Sequence, residues 1–294
     1  MTAELTSRLM SVIGCTSATV GLAARNLVTG EEVHVNSALV FPTASTFKVP
    51  LLLELLRQAE AGQVELGQRV EMPEGGRVFG SGVLKELDAG LQPTLRDLAT
   101  LMIIVSDNWA TDVLADLVGL DNVNRTLRAH GLEEINVVLN CGQILARAGG
   151  ITSVRPTAEE MELARQRLES GGMAPDNPAL SEGQDNNVAT PRGFMRLLSM
   201  VAEGRYVSPW VSEQALEIMK KQQLRQRIPL LLPTSVKVAN KTGTLGPVRN
   251  DIAVIFGPRA AVAMAVLTKG AADPVATDRV IAECARLVFE AWAA

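Results

Sequence analysis

Apolar residues recur at helical spacing through the middle of this chain and at strand spacing near both of its ends. Residues 2–13 read as a short helix. Thr19 to Asn26 and Glu32 to Val35 read as strands joined through a Val28-Thr29-Gly30 turn, the signature of a hairpin. Strand-like runs return at Val236 to Ala239, Asp251 to Phe256 and Ala260 to Thr268. A closing helix is expected from Asp273-Pro274, with aspartate as its N-cap and proline at its first position. Between these ends, helical periodicity dominates residues 45–61, 95–117, 121–130, 157–170, 191–202 and 212–221. Thr157 and Glu160 have capping-box spacing, and Thr190-Pro191 and Ser208-Pro209 each give an N-cap followed by proline.

Strands at both termini around a helical middle imply an α+β fold. One antiparallel sheet is assembled from the two chain ends, flanked by helices, with an all-helical lobe inserted. The pattern divides the chain into a sheet lobe of residues 1–44 and 224–294 and a helical lobe of residues 45–223. A cleft follows where the lobes meet, and binding sites favour such junctions.

Composition narrows the function. With 294 residues, 47% of them hydrophobic and 20% charged, the chain can bury a substantial core. Its 28 basic and 32 acidic residues are scattered, for a net charge of −4, so no concentrated field invites nucleic acid or an anionic membrane. The expected partner is a small molecule. Cys15, Cys141 and Cys284 are far apart and odd in number, which fits buried apolar residues better than a disulfide framework. His34 and His130 have no neighbouring ligand spacing, so neither a metal nor another cofactor is expected. The first residues lack a basic stretch leading into an apolar one, and no run approaches the roughly 20 apolar residues of a membrane span. A cytoplasmic protein is the expectation, or a periplasmic or secreted one if a leader has been removed.

Three short polar motifs carry candidate chemistry. Ser45-Thr46-Phe47-Lys48 opens the first helix of the middle segment, and residues three apart on a helix share a face. That spacing lets an uncharged Lys48 amine take the Ser45 proton as the hydroxyl attacks a carbonyl. The helix start adds a backbone N–H able to stabilise an oxyanion. Taken alone, the motif fits equally an N-cap serine with a solvated lysine. Ser106-Asp107-Asn108 interrupts an apolar helical stretch, where buried polar groups need partners. Ser106 is a candidate proton relay and Asn108 a contact for a substrate amide, with Asp107 serving the local backbone; a capped helix-to-helix turn is the plainer alternative. Lys241-Thr242-Gly243-Thr244 follows a strand, and a glycine there marks a close approach to the backbone. Lys241 and Thr242 then form an anion site, Gly243 gives the substrate access to the strand edge, Thr244 offers a second oxyanion N–H, and the Lys241 charge favours a neutral Lys48.

In this order, S-x-x-K, S-D-N and K-T-G are the combination found in class A β-lactamases and penicillin-binding proteins. The chain resembles the class A β-lactamase family over nearly its whole length, from the first hairpin to the last helix. Phe41-Pro42-Thr43-Ala44-Ser45 through Lys48 is similar to the family's nucleophile segment, and Arg249-Asn250-Asp251-Ile252 to the strand after K-T-G. The resemblance implies a serine hydrolase working through an acyl-enzyme on Ser45. It also implies that Arg249 stands where many members carry an arginine for the β-lactam carboxylate, although the turn before it is one residue shorter here.

One departure weighs against full lactamase action. Members carry a glutamate in an omega-shaped loop soon after S-D-N, which activates the deacylating water, whereas this chain has Asn140-Cys141-Gly142-Gln143-Ile144-Leu145 there. Thr190-Pro191-Arg192 resembles the helix start after that loop, at a longer interval than usual. Glu159, Glu160, Glu162, Glu182 and Asp185 are the carboxylates left as replacements. Acylation by β-lactams with slow deacylation is therefore expected, since the two half-reactions need different proton acceptors. An esterase, an amidase or a D-alanyl-D-alanine peptidase uses the same motifs, and a non-catalytic β-lactam receptor remains the reading from another class. A Ser-His-Asp hydrolase fits poorly, because no G-x-S-x-G elbow is present. A tyrosine base is disfavoured too, since the only tyrosine, Tyr206, lies far from Ser106 in sequence.

Overall fold

Strict alternation of side chains along the C-terminal strands organises the structure. The computed structural model describes residues 2–72, 76–88, 90–174 and 176–294. A five-stranded antiparallel sheet has the order β2-β1-β8-β7-β6, made of β1 (Thr19–Asn26), β2 (Glu32–Val35), β6 (Lys237–Leu245), β7 (Val248–Phe256) and β8 (Ala261–Lys269). The chain ends are thus joined through the β1–β8 pairing, in which Leu22 faces Val266 and Ala24 faces Met264.

Successive side chains on a strand point to opposite faces. Ala253, Ile255, Val262, Met264 and Val266 bury one face against α1 (Thr2–Ile13) and α10 (Pro274–Trp292). Ile252, Val254, Ala263, Ala265 and Leu267 bury the other into the helical core. At the centre of that core runs α2 (Lys48–Glu60), whose leucines are buried on all sides. Its Pro50 is tolerated because a first-turn residue has no intrahelical N–H bond to lose.

Around α2 pack α3 (Leu95–Ile104), α4 (Asn108–Val118), α5 (Leu120–Ala129), α8 (Pro191–Ala202) and α9 (Pro209–Met219). A second, three-stranded sheet in the order β3-β5-β4 ties Phe41–Pro42 (β3) and Ile135–Asn136 (β4) to Val188–Ala189 (β5).

The structure corrects several expectations. The helix read over 95–117 is two helices broken at Val105-Ser106-Asp107, because the Asp107 side chain caps a new helix by accepting the Ala110 N–H at 3.0 Å. The residues 140–145, read as loop, form α6 (Cys141–Ala148), with Asn140 and Gln143 making a reciprocal capping box. The next helix, α7 (Ala158–Gly171), starts at the expected Thr157/Glu160 box. Cys15 is exposed just beyond α1, whereas Cys141 and Cys284 are buried. Among the described residues no helix is long and apolar enough to cross a membrane.

Candidate active site

Two strained residues mark where sheet and helical core meet. Ala44 (φ 43°) and Ser106 (φ 56°) adopt left-handed backbone conformations that side chains with a Cβ rarely take. Such strain persists only where surrounding contacts enforce it. Ala44 turns the chain out of β3 into a single 3₁₀ turn, Ala44–Phe47, which runs directly into α2. Ser45 therefore sits one tight turn before the α-helix instead of on it. Asn250 of β7 fixes this turn to the sheet, its carboxamide donating to Pro42 O at 2.9 Å and Thr43 O at 3.0 Å. The Ser45 turn also lies against β6. A Cβ added to Gly243 would meet Thr43 O at 2.6 Å and Ser45 N at 3.2 Å, so only glycine lets the strand approach so closely.

Ser106 gathers two buried amines. Lys48 Nζ donates to Ser106 O at 2.9 Å and Asn108 Oδ1 at 2.9 Å, and stands 3.3 Å from Ser106 Oγ. Lys241 Nζ reaches the same hydroxyl at 3.0 Å and its neighbour Thr242 O at 2.7 Å. Both side chains are fully buried. Burial, and then the Lys48 charge, hold the Lys241 amine well below the usual lysine range. The carbonyls of Ser106 and Asn108 accept two N–H bonds from Lys48, and the third is directed at the Ser106 hydroxyl.

Asp107 serves the local backbone. Besides capping α4, its carboxylate accepts from Val83 N at 2.7 Å and Leu84 N at 2.9 Å. Asn108 is committed on both sides, to Lys48 and, through Nδ2, to Phe79 O at 2.9 Å.

Arg227, which the sequence gave no reason to single out, lies fully buried behind the K-T-G strand. It donates to Gly243 O at 2.8 Å, Asn250 O at 2.6 Å, Thr244 Oγ1 at 2.6 Å and Asp278 Oδ1 at 2.7 Å. Arg249 is drawn to the same carboxylate, its guanidinium gripping Asp278 through Nε and Nη2. The structure accordingly does not bring the Arg249 head group into the cavity beside Ser45. The fork-shaped partners of two arginines on one aspartate need positions from β7, α10 and the loop before β6, which no local motif records.

Ser45, Asn108, Cys141 and Thr244 open onto a cavity of about 320 Å³. No acidic side chain lines it among the described residues. The candidate carboxylates are engaged elsewhere: Glu160 in the α7 capping box, Glu162 with Arg165, Glu182 with Lys269 and Asp185 with Arg147, while Glu159 is exposed. Nearest in kind is Asp112 of α4, which accepts the first N–H groups of α6 from Cys141 at 2.6 Å and Gly142 at 2.8 Å. Burial raises its carboxyl to about 7 against these two bonds. Burial likewise pushes the Cys141 thiol up to about 12, so it stands protonated at neutral pH. Tyr206 lies in the helical core with its ring 4.5 Å from that of His130, away from these groups.

Known proteins resemble this chain over most of its length. The profile of the β-lactamase enzyme family matches residues 4–292. A β-lactamase regulatory protein, BlaB, of Streptomyces cacaoi is 27% identical over 263 residues, covering 83% of this chain and 82% of its own. The crystal structure of a β-lactamase from Sphaerobacter thermophilus superposes with a TM-score of 0.80 at 29% identity, covering 98% of this chain and 97% of that one. An ancestral class A β-lactamase gives 0.79 at 26% identity, covering 98% and 99%.

Proposed function

Because the chain belongs to the β-lactamase enzyme family, we propose that it is a serine hydrolase of the class A type, acylated on Ser45 by β-lactams and slow to release the product. The observation that carries this reading is the sharing of the Ser106 hydroxyl by Lys48 and Lys241 beside the Ser45 turn.

Two amines around one hydroxyl share a proton. When Lys48 hands a proton to Ser106 Oγ and Ser106 passes its own to Lys241, Lys48 becomes the neutral base. Ser45 Oγ then attacks the lactam carbonyl carbon, its proton goes to Lys48, and the carbonyl electron pair moves onto oxygen. Backbone N–H groups of Ser45 and Thr244 receive that oxyanion. The electron pair returns as the C–N bond breaks, and the proton reaches the leaving nitrogen through Ser106. Lys241 and Thr242 supply the anion site, while Asn108 contributes more to holding Lys48 than to free contact with substrate.

Hydrolysis of the acyl-enzyme needs a base for water, and no carboxylate lines the cavity among the described residues. Stopped-flow mixing with a chromogenic cephalosporin tests the proposal. A burst of about one equivalent followed by a much slower steady state is expected, and Ser45→Ala should abolish the burst. Fast linear turnover, or a burst that survives Ser45→Ala, would refute it.

A second reading, a sensor of β-lactams in place of an enzyme that clears them, is favoured by the similarity to the regulatory protein BlaB. It calls for the same burst with no steady state at all.

A further inference from the structure

The cavity beside Ser45 is apolar, and its walls come from the segment that replaces the glutamate-bearing loop. Ile144 and Leu145 of α6, Leu168 of α7, Met173 just beyond it and Leu245 at the end of β6 line it, with no charged side chain among the lining residues described. Helix α7 is seated firmly on α6: a Cβ on Gly149 would fall 2.4 Å from Ala164 Cα, so the two backbones touch there. From the far end of α7, Met173 crosses to the sheet and packs over the β6–β7 turn, where a Cβ on Gly246 would meet its Sδ at 2.9 Å. The roof thus bridges helical core and sheet above Ser45. Asn140 and Gln143, the polar residues at the start of α6, are spent on its capping box.

We infer that this roofed cavity is an acyl-chain pocket, and that the preferred acyl donors carry an uncharged aliphatic or aryl acyl group of medium length. The inference rests on Ser45 being the acylated residue and adds which acyl group it accepts. Anionic acyl groups find no cation among the described residues that line it, since Arg249 is held by Asp278 and Arg227 is buried behind Thr244. Each methylene that leaves water for such walls favours binding about fourfold. The same walls leave no base beside the ester, so the acyl group that fits best is also shielded best from water.

Paired p-nitrophenyl esters provide the test. Ser45 Oγ attacks the ester carbonyl, its proton goes to Lys48, and p-nitrophenolate leaves as the acyl–Oγ bond forms. The acylation rate, corrected with Ser45→Ala, is expected to be about tenfold or more higher for the hexanoate than for the acetate. Leu168→Asn and Met173→Ala, each checked for folding by thermal melting, should bring that ratio toward unity. A ratio of one or less in the unaltered protein, with the adduct on Ser45, overturns the pocket and leaves the acyl-enzyme standing. If neither ester labels Ser45, the acyl-enzyme reading fails instead. The pocket is then judged by methyl NMR with hexanamide and acetamide: shifts at Ile144, Leu145 and Leu168 with hexanamide alone support it, and their absence overturns it.

Discussion

Lys48 and Lys241 converge on one hydroxyl, their amines 3.3 Å and 3.0 Å from Ser106 Oγ, although they are contributed by the central helix and by an edge strand of the sheet. Two buried ammonium groups this close repel, so the site stores a preference for losing one proton. In the proposed mechanism that preference is what makes a base of Lys48.

Replacing Lys241 by arginine keeps a permanent charge where a titrating amine stood. The shared proton then cannot pass beyond Ser106 and stays on Lys48. Acylation by a chromogenic cephalosporin should fall by about a hundredfold or more, in the range ascribed to general-base loss. In the unaltered protein the acylation rate should rise with pH and reach its plateau well below the usual lysine range, because the Lys241 amine is held down. Stopped-flow rates across pH check both statements.

Gly243→Ala should damage the site without touching a reacting group. The new Cβ lands 2.6 Å from Thr43 O, and pushing the Ser45 turn away by even a fraction of that distance misaligns nucleophile and oxyanion donors. A loss of about a hundredfold in acylation is expected. Gly67→Ala, whose Cβ would meet nothing nearer than Glu65 Oε1 at 3.8 Å, is the matched control and should leave the rate unchanged.

Arg227→Ala should unfold more readily. It strips hydrogen bonds from Gly243 O and Asn250 O and leaves Asp278 with one arginine in place of two. Breaking a buried ion pair of this kind costs about 3 kcal/mol. Lysine should not rescue it, because one ammonium cannot span the partners that a guanidinium fork reaches. Urea denaturation of the two variants reads the difference.

Asp112 makes stability depend on pH in a defined sense. Its carboxyl titrates near 7 in the folded chain against an ordinary 3.8, so between those values the folded state binds more protons than the unfolded one. Stability must then fall as pH rises through that window and level off above it. Asp251, raised by burial to about 6, acts in the same direction over a narrower span. Melting curves of the unaltered protein and Asp112→Asn should therefore show a difference that declines from about pH 4 to about pH 7 and is flat beyond. A constant difference would contradict the assignment.

Much of this molecule was legible before its structure. Short, nearly continuous apolar runs in Asp251 to Phe256 and Ala260 to Thr268 marked the sheet, because both of its faces are buried by apolar residues. The motifs around Ser45, Ser106 and Lys241 were legible because each is contiguous. What escaped was built from distant residues. Arg227 and Asp278 meet only after the loop before β6 and helix α10 fold onto β7. Helix α6 was missed although Asn140 and Gln143 have capping spacing, because Cys141-Gly142 at its start weakens the helical pattern. The resemblance placed Arg249 where members carry an arginine for the β-lactam carboxylate, and nothing beside it in the chain foretells Asp278.

The acyl-enzyme itself is the most direct thing to measure. Intact-protein mass spectrometry after incubation with penicillin G should show a gain of one whole antibiotic molecule, retained for many minutes. Digestion should place the added mass on the peptide bearing Ser45, and Ser45→Ala should show no gain. An unmodified mass while the antibiotic disappears, or a label carried by any other residue, would contradict the account.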